Sequence, residues 1–75
     1  LNDDNAKRVW NYIRSKGDEL QGKLPDSPRH PQGRNPYAHI SKCIKSKYKA
    51  SYKEIEDNKV GEVMNFIDYL VNNPF

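Results

Sequence analysis

An all-α fold, a small three-helix domain with a proline-rich connector between the first and second helices, is what this 75-residue sequence predicts. Three observations carry the prediction. Apolar residues recur at spacings of three and four in three separate segments, the period of a helix with one buried face. Residues 24–35, LPDSPRHPQGRN, hold three prolines and a glycine among polar residues and admit no regular structure. Neither two-residue alternation long enough for a strand nor an internal repeat occurs.

The first helix is expected over about residues 3–22. Asn2, Asp3 and Asp4 place capping oxygens and negative charge where a helix N-terminus favours them. Val9, Trp10, Ile13, Leu20 and Leu24 are spaced as one apolar stripe, with Trp10 as its leading core anchor. Gly17 interrupts the pattern. Either it caps the helix there or, since Leu20 and Leu24 keep the phase, the helix continues in two parts.

In the connector of residues 24–35 the prolines favour an extended, stiff chain, and Arg29, His30 and Arg34 make it basic. It is either an arm beside the next helix or a solvated loop whose charges keep the chain soluble.

Asn35-Pro36 marks the start of the second helix, expected over about residues 36–49. A residue before proline is pushed out of the helical region, while proline's fixed φ and missing N–H suit the first helical position. Asn35 is then the N-cap. Tyr37, Ile40, Ile44 and Tyr48 fall on one side, toward a core; Lys42, Lys45 and Lys49 recur at the same spacing on another, which His39 and Ser46 extend. One surface is apolar and the other cationic.

Ser51 stands three before Glu54, a capping-box spacing, so a short turn is expected over residues 51–55, with Tyr52 and Ile55 tucked inward. Asp57 or Asn58 is the expected cap of a last helix over about residues 58–72, in which Val60, Val63, Met64, Ile67, Leu70 and Val71 form a broad apolar face and Asn72-Asn73-Pro74 stops the coil. Phe66 and Tyr69 lie beside that face; exposed together they would form a strip suited to a partner helix or a second copy.

A chain of this size buries only roughly 60–65% of the surface it exposes when unfolded, so the core must be lean. Hydrophobic residues are 35% and charged residues 31%, yet one Trp, five Tyr and two Phe supply enough burial to lift the composition above that of a disordered chain. A single cysteine, Cys43, makes no internal disulfide, which fits a reducing, cytoplasmic setting. No apolar run is long enough to cross a bilayer and no secretion leader stands in these residues. Beginning at Leu1 rather than Met, the sequence is expected to be a portion of a longer polypeptide.

The net charge of +3 hides a strong segregation. Residues 1–26 carry five bases and five acids, residues 27–53 seven bases and no acid, and residues 54–75 one base and five acids. The middle of the chain is its positive part.

His30-Pro31, Gly33-Arg34-Asn35-Pro36-Tyr37, Ile40, Ile44-Lys45, Tyr48, Ser51-Tyr52 and Ile55, followed by an amphipathic helix ending near residue 71, resemble the small C-terminal domain of phage antirepressors and related prophage regulators. In that family the domain follows an N-terminal DNA-binding module of the KilA-N sort. The resemblance covers roughly residues 30–72 and implies a role in a lysis–lysogeny switch inside a bacterial host cell, acting on DNA, on a repressor protein or through self-association. It implies no catalytic site and carries no residue-level binding map.

The residues themselves suggest a nucleic-acid contact through Arg29, Arg34, Asn35, His39, Lys42, Lys45, Ser46, Lys49 and Lys53. Lysines would neutralise phosphates, and Asn35, His39, Lys42 or Ser46 would reach base edges if the helix entered a groove. Against this, lysines toward a helix C-terminus also favour the dipole and are often just solvated. Tyr37, Tyr48 and Tyr52 among the lysines would stack on bases, or at helical spacing would serve the core. His39 and Cys43, four apart, share a face, but two ligands make no structural zinc site; a partly buried thiol beside a surface imidazole is the expectation. Cys43 as a nucleophile lacks an orienting third group. Glu54, Glu56, Asp57 and Glu62 are explained by helix capping and the dipole, with an ion pair to the basic helix as a further use. The expectation is a non-enzymatic domain without cofactor or metal that contacts DNA, or alternatively one that binds a repressor or a second copy through Phe66 and Tyr69.

Overall fold

Capping chemistry sets where the first two helices begin. The computed structural model describes residues 1–28 and 33–74. Over them the chain forms α1 (Asp3–Leu20), α2 (Pro36–Tyr48) and α3 (Val60–Asn72), with two short 3-10 turns, Tyr52–Glu54 and Asp57–Lys59, between the last two helices. The fold is an all-α three-helix domain, and no strand occurs among the described residues. Asn2 caps α1, its side-chain oxygen accepting the Asn5 N–H at 2.8 Å, and Asp3 and Asp4 fill the first turn. Asn35 caps α2 by accepting from the N–H groups of Tyr37 at 3.0 Å and Ala38 at 3.2 Å, with Pro36 in the first turn. The asparagine–proline step thus starts the helix as the sequence predicts.

α1 runs through Gly17 without a break and ends two residues before the sequence expectation. The chain leaves the helix at Gln21, with ψ 124°, and turns at Gly22, whose φ of +77° is the left-handed conformation that glycine adopts at no steric cost. Gly17 has another use: it is buried, and a Cβ built on it would lie 2.4 Å from Tyr37 Cδ1 and 2.6 Å from Cε1. The bare backbone of α1 is the seat of the Tyr37 ring. α2 ends at Lys49, a non-glycine residue in the left-handed region with φ 57° and ψ 29°.

Among the described residues nine side chains make the core: Val9, Ile13 and Leu20 from α1, Ile40 and Ile44 from α2, Ile55 from the segment between the 3-10 turns, and Val63, Ile67 and Leu70 from α3. Eight are fully buried, and Ile55 nearly so. Tyr37, Tyr48, Tyr52, Leu24 and Phe66 pack half-buried around them. Trp10 does not anchor this core. It is 40% exposed, because the buried line of α1 passes through Val9, Ile13, Gly17 and Leu20 and leaves the next position outside it.

Each pair of helices is tied by one tyrosine hydroxyl donating to one carboxylate. Tyr12 of α1 donates to Asp68 of α3, Tyr37 of α2 to Asp18 of α1, and Tyr48 of α2 to Glu62 of α3, the last at 2.7 Å. Lys16 adds ion pairs to Glu19 at 3.1 Å and Asp68 at 3.8 Å. Glu62 therefore meets the basic helix through a phenol rather than through a lysine. Asp57 does not cap α3 with its side chain either: its Oδ1 accepts from the Asn2 backbone N–H at 2.6 Å and from Asn5 Nδ2 at 3.1 Å, joining the turn before α3 to the start of α1. These hydrogen bonds hold the Asp57 carboxyl below its usual range.

The phenol–carboxylate ties predict an alkaline limit. Burial, then the hydrogen bond to Glu62, pushes Tyr48 from 10.0 up to about 12. Between those values the folded state holds a proton that the unfolded state has lost, so this contribution is whole below pH 10 and falls as pH rises through about 12. Melting temperature followed by circular dichroism should drop across that window, and less steeply in Tyr48→Phe. An equal slope in the variant would exclude this origin.

Candidate functional site

Lys42, Lys45, Ser46 and Lys49 stand exposed along α2. At 3.6 residues per turn they occupy the side away from Ile40 and Ile44, which are fully buried. Among the described residues none of Lys42, Lys45 and Lys49 takes part in an ion pair. Three cations thus face solvent without a carboxylate partner.

At the N-terminal end of α2, Arg34, Asn35, His39 and Lys42 line one hollow of about 150 Å³, closed by Gly33 and Ala38. Two of these residues are less available than the sequence suggests. His39 is buried, with 9% of its surface exposed, because Arg34 folds over it: the guanidinium Nη2 lies 3.0 Å from Nδ1, and Nη1 donates to the Pro25 carbonyl at 3.3 Å. Arginine only donates, so Nδ1 accepts and the imidazole proton sits on Nε2. Burial, then the Arg34 charge, lowers the His39 pKa from its ordinary 6.5, which leaves the ring neutral at pH 7. His39 is a support beneath the surface rather than part of a cationic face. Asn35 has its side-chain oxygen committed to two N–H groups of α2. Of the four side chains expected at base edges, Lys42 and Ser46 are the two that stand exposed with no such commitment among the described residues.

The remaining expected residues are dispersed. Lys53 is exposed on the 3-10 turn Tyr52–Glu54, and Phe66 and Tyr69 lie on α3. Arg29 lies outside the described residues, as does His30. Tyr69 is 56% exposed and stacks on half-buried Phe66, with ring centroids 6.3 Å apart. Phe66 in turn meets Tyr48 edge to face at 6.4 Å. Lys47, outside the expected set, carries its ammonium over this group, 5.1 Å from the Phe66 centroid and 5.8 Å from that of Tyr48. The exposed aromatic strip is therefore short and has a cation at its edge.

His39 and Cys43 do meet, with Sγ 3.8 Å from Nε2, but the imidazole is buried rather than at the surface. Burial raises the Cys43 thiol, the wrong direction for a nucleophile. No group of three or more metal-ligating side chains forms among the described residues. No helix among them is long and apolar enough to cross a membrane.

No protein-family model, curated protein or solved structure matches this chain at a significant level. The exposure of Trp10 has a signal in the sequence, since Asp3, Lys7 and Trp10 recur at spacings of four and three on one face of α1.

Proposed function

We propose that this is a non-enzymatic regulatory domain of phage or prophage origin that contacts DNA through the basic face of α2 and the adjoining end of the connector. The observation that carries this reading is the row of exposed, ion-pair-free Lys42, Lys45 and Lys49 within a stretch of 27 residues that contains no acid. Each phosphate neutralised releases condensed counterions, so binding should weaken steeply with salt. Arg34 and His39 fix the hollow at the start of the helix, Asn35 fixes the backbone there, and Lys42 and Ser46 are the side chains free to meet base edges. The resemblance of residues 30–72 to phage antirepressor C-terminal domains supplies the regulatory setting, and with it a bacterial cytoplasm.

Lys42, Lys45 and Lys49 changed together to Glu should abolish retention of duplex DNA at low salt while leaving helicity and melting close to those of the parent, since all three are exposed. Retention unaltered by the triple change would overturn the proposal, as would no retention of duplex by the parent.

One observation favours a second reading. Tyr69 leaves more than half its surface in water while stacked on Phe66, a small apolar platform on α3. A repressor or a second copy of the chain would cover it. Sedimentation should then show a dimer that Tyr69→Ser dissociates, or a complex with a repressor that the same change disrupts. A strict monomer that takes up no repressor would exclude it.

A further inference from the structure

Away from the lysine row of α2, α1 and the turn after α2 build a groove of about 590 Å³. Its floor is aromatic: the rings of Trp10 and Tyr52 lie 8° from parallel with centroids 6.4 Å apart. Lys7 and Lys53 flank them, Leu1 adds apolar surface, and Asp3 is the acid of the lining. The groove is positioned firmly. The Asn2 N–H donates to Asp57, which ties the start of α1 to the segment that follows the turn holding Tyr52.

Two features select among occupants. A flat, half-exposed indole beside a nearly parallel phenol offers a π-face, which every nucleobase can stack on, rather than the deep apolar hole that an aliphatic anchor requires. Two lysines against one aspartate give the rim a positive balance, matched to a polyanion. We propose that the Trp10–Tyr52 groove binds single-stranded nucleic acid, with a base stacked on Trp10 and the flanking phosphates on Lys7 and Lys53. This inference rests on the reading that the chain meets nucleic acid, but it uses a different surface from the lysine row of α2 and an unpaired strand in place of a duplex.

Trp10 is the single tryptophan of the sequence, so intrinsic fluorescence reports on this groove directly. An oligothymidylate of about eight nucleotides, within the span of known single-strand sites, should quench that emission saturably at low salt. An abasic oligomer of the same length and an oligoglutamate of equal charge should not. With a labelled oligothymidylate read by anisotropy, Trp10→Ala should weaken binding about ten- to hundredfold, Trp10→Phe should retain part of it, and Lys7→Glu should lower affinity and flatten the salt dependence. Helical circular dichroism checks that the variants fold. Absence of quenching, equal quenching by the abasic oligomer or by oligoglutamate, or unchanged anisotropy of Trp10→Ala would overturn the inference. Duplex retained without quenching sinks this groove and leaves the α2 reading standing. Quenching without duplex retention does the reverse, and neither signal sinks both.

Discussion

Ile44→Ala is expected to destabilise the fold by about 2–5 kcal/mol, the range for truncating a buried isoleucine where the neighbours collapse only partly. Ile44 is fully buried and, with Ile40, is the part of α2 that enters the common core. Globular domains hold roughly 0.05–0.15 kcal/mol per residue, so a chain of this length has a total stability of the same order as that loss. A 60–100-residue domain loses roughly 4–8 °C of melting temperature per kcal/mol, and a drop of about 10 °C or more should follow. Thermal melts by circular dichroism measure it. A variant melting within a degree or two of the parent would mean that Ile44 is not packed as described.

Gly17→Ala should also destabilise, against the usual sense of that exchange. In an open helix alanine is favoured over glycine by roughly 1 kcal/mol. Here the new methyl would stand 2.4 Å from Tyr37 Cδ1, closer than carbon atoms approach, and it would press the ring off the helix. Tyr37 also donates its hydroxyl to Asp18, so displacing the ring costs that tie between α1 and α2 as well. Overpacking of this kind costs typically about 1–3 kcal/mol, against the roughly 1 kcal/mol that propensity returns, and the lost Tyr37–Asp18 tie adds to the cost. A double-mutant cycle isolates the cause: in a Tyr37→Ala background the same glycine change should become neutral or stabilising. Equal cost in both backgrounds would refute the close contact.

Much of the architecture could be read from local chemistry. Asn35-Pro36 fixed the start of α2, the apolar period located Ile40 and Ile44, and Val63, Ile67 and Leu70 formed the predicted inner line of α3. What escaped depended on partners distant along the chain. Gly17 reads either as a helix stop or as a break within a longer helix, because nothing near it reveals that a tyrosine twenty positions later lies on its backbone. Asp57 or Asn58 reads as the cap of the helix that follows, but neither side chain caps it, and the Asp57 carboxylate serves the beginning of α1. Trp10 joins the apolar stripe by its spacing of three to Ile13, but it stands about 100° around the helix from Val9, at the edge of the line that Val9, Ile13, Gly17 and Leu20 follow.

The candidate surface divides in the same way. Exposure of Lys42, Lys45, Ser46 and Lys49 follows from helical phase alone, which the sequence supplies. His39 shares that phase and is nonetheless covered, because the residue preceding the N-cap brings its guanidinium back over the ring. Phase assigns a direction to a side chain; it does not say whether another segment lies in that direction. The groove at Trp10 needed α1 and the turn at Tyr52 to be brought together, a juxtaposition no local pattern encodes.

Lys49 closes α2 in a backbone shape that L-residues with a side chain adopt only at some energetic expense and that glycine occupies freely. Selection for thermal resistance alone would drive this position to glycine and remove a positive charge from the end of the lysine row. Robustness and surface potential thus pull one residue in opposite directions, and the amino acid present sides with the charge.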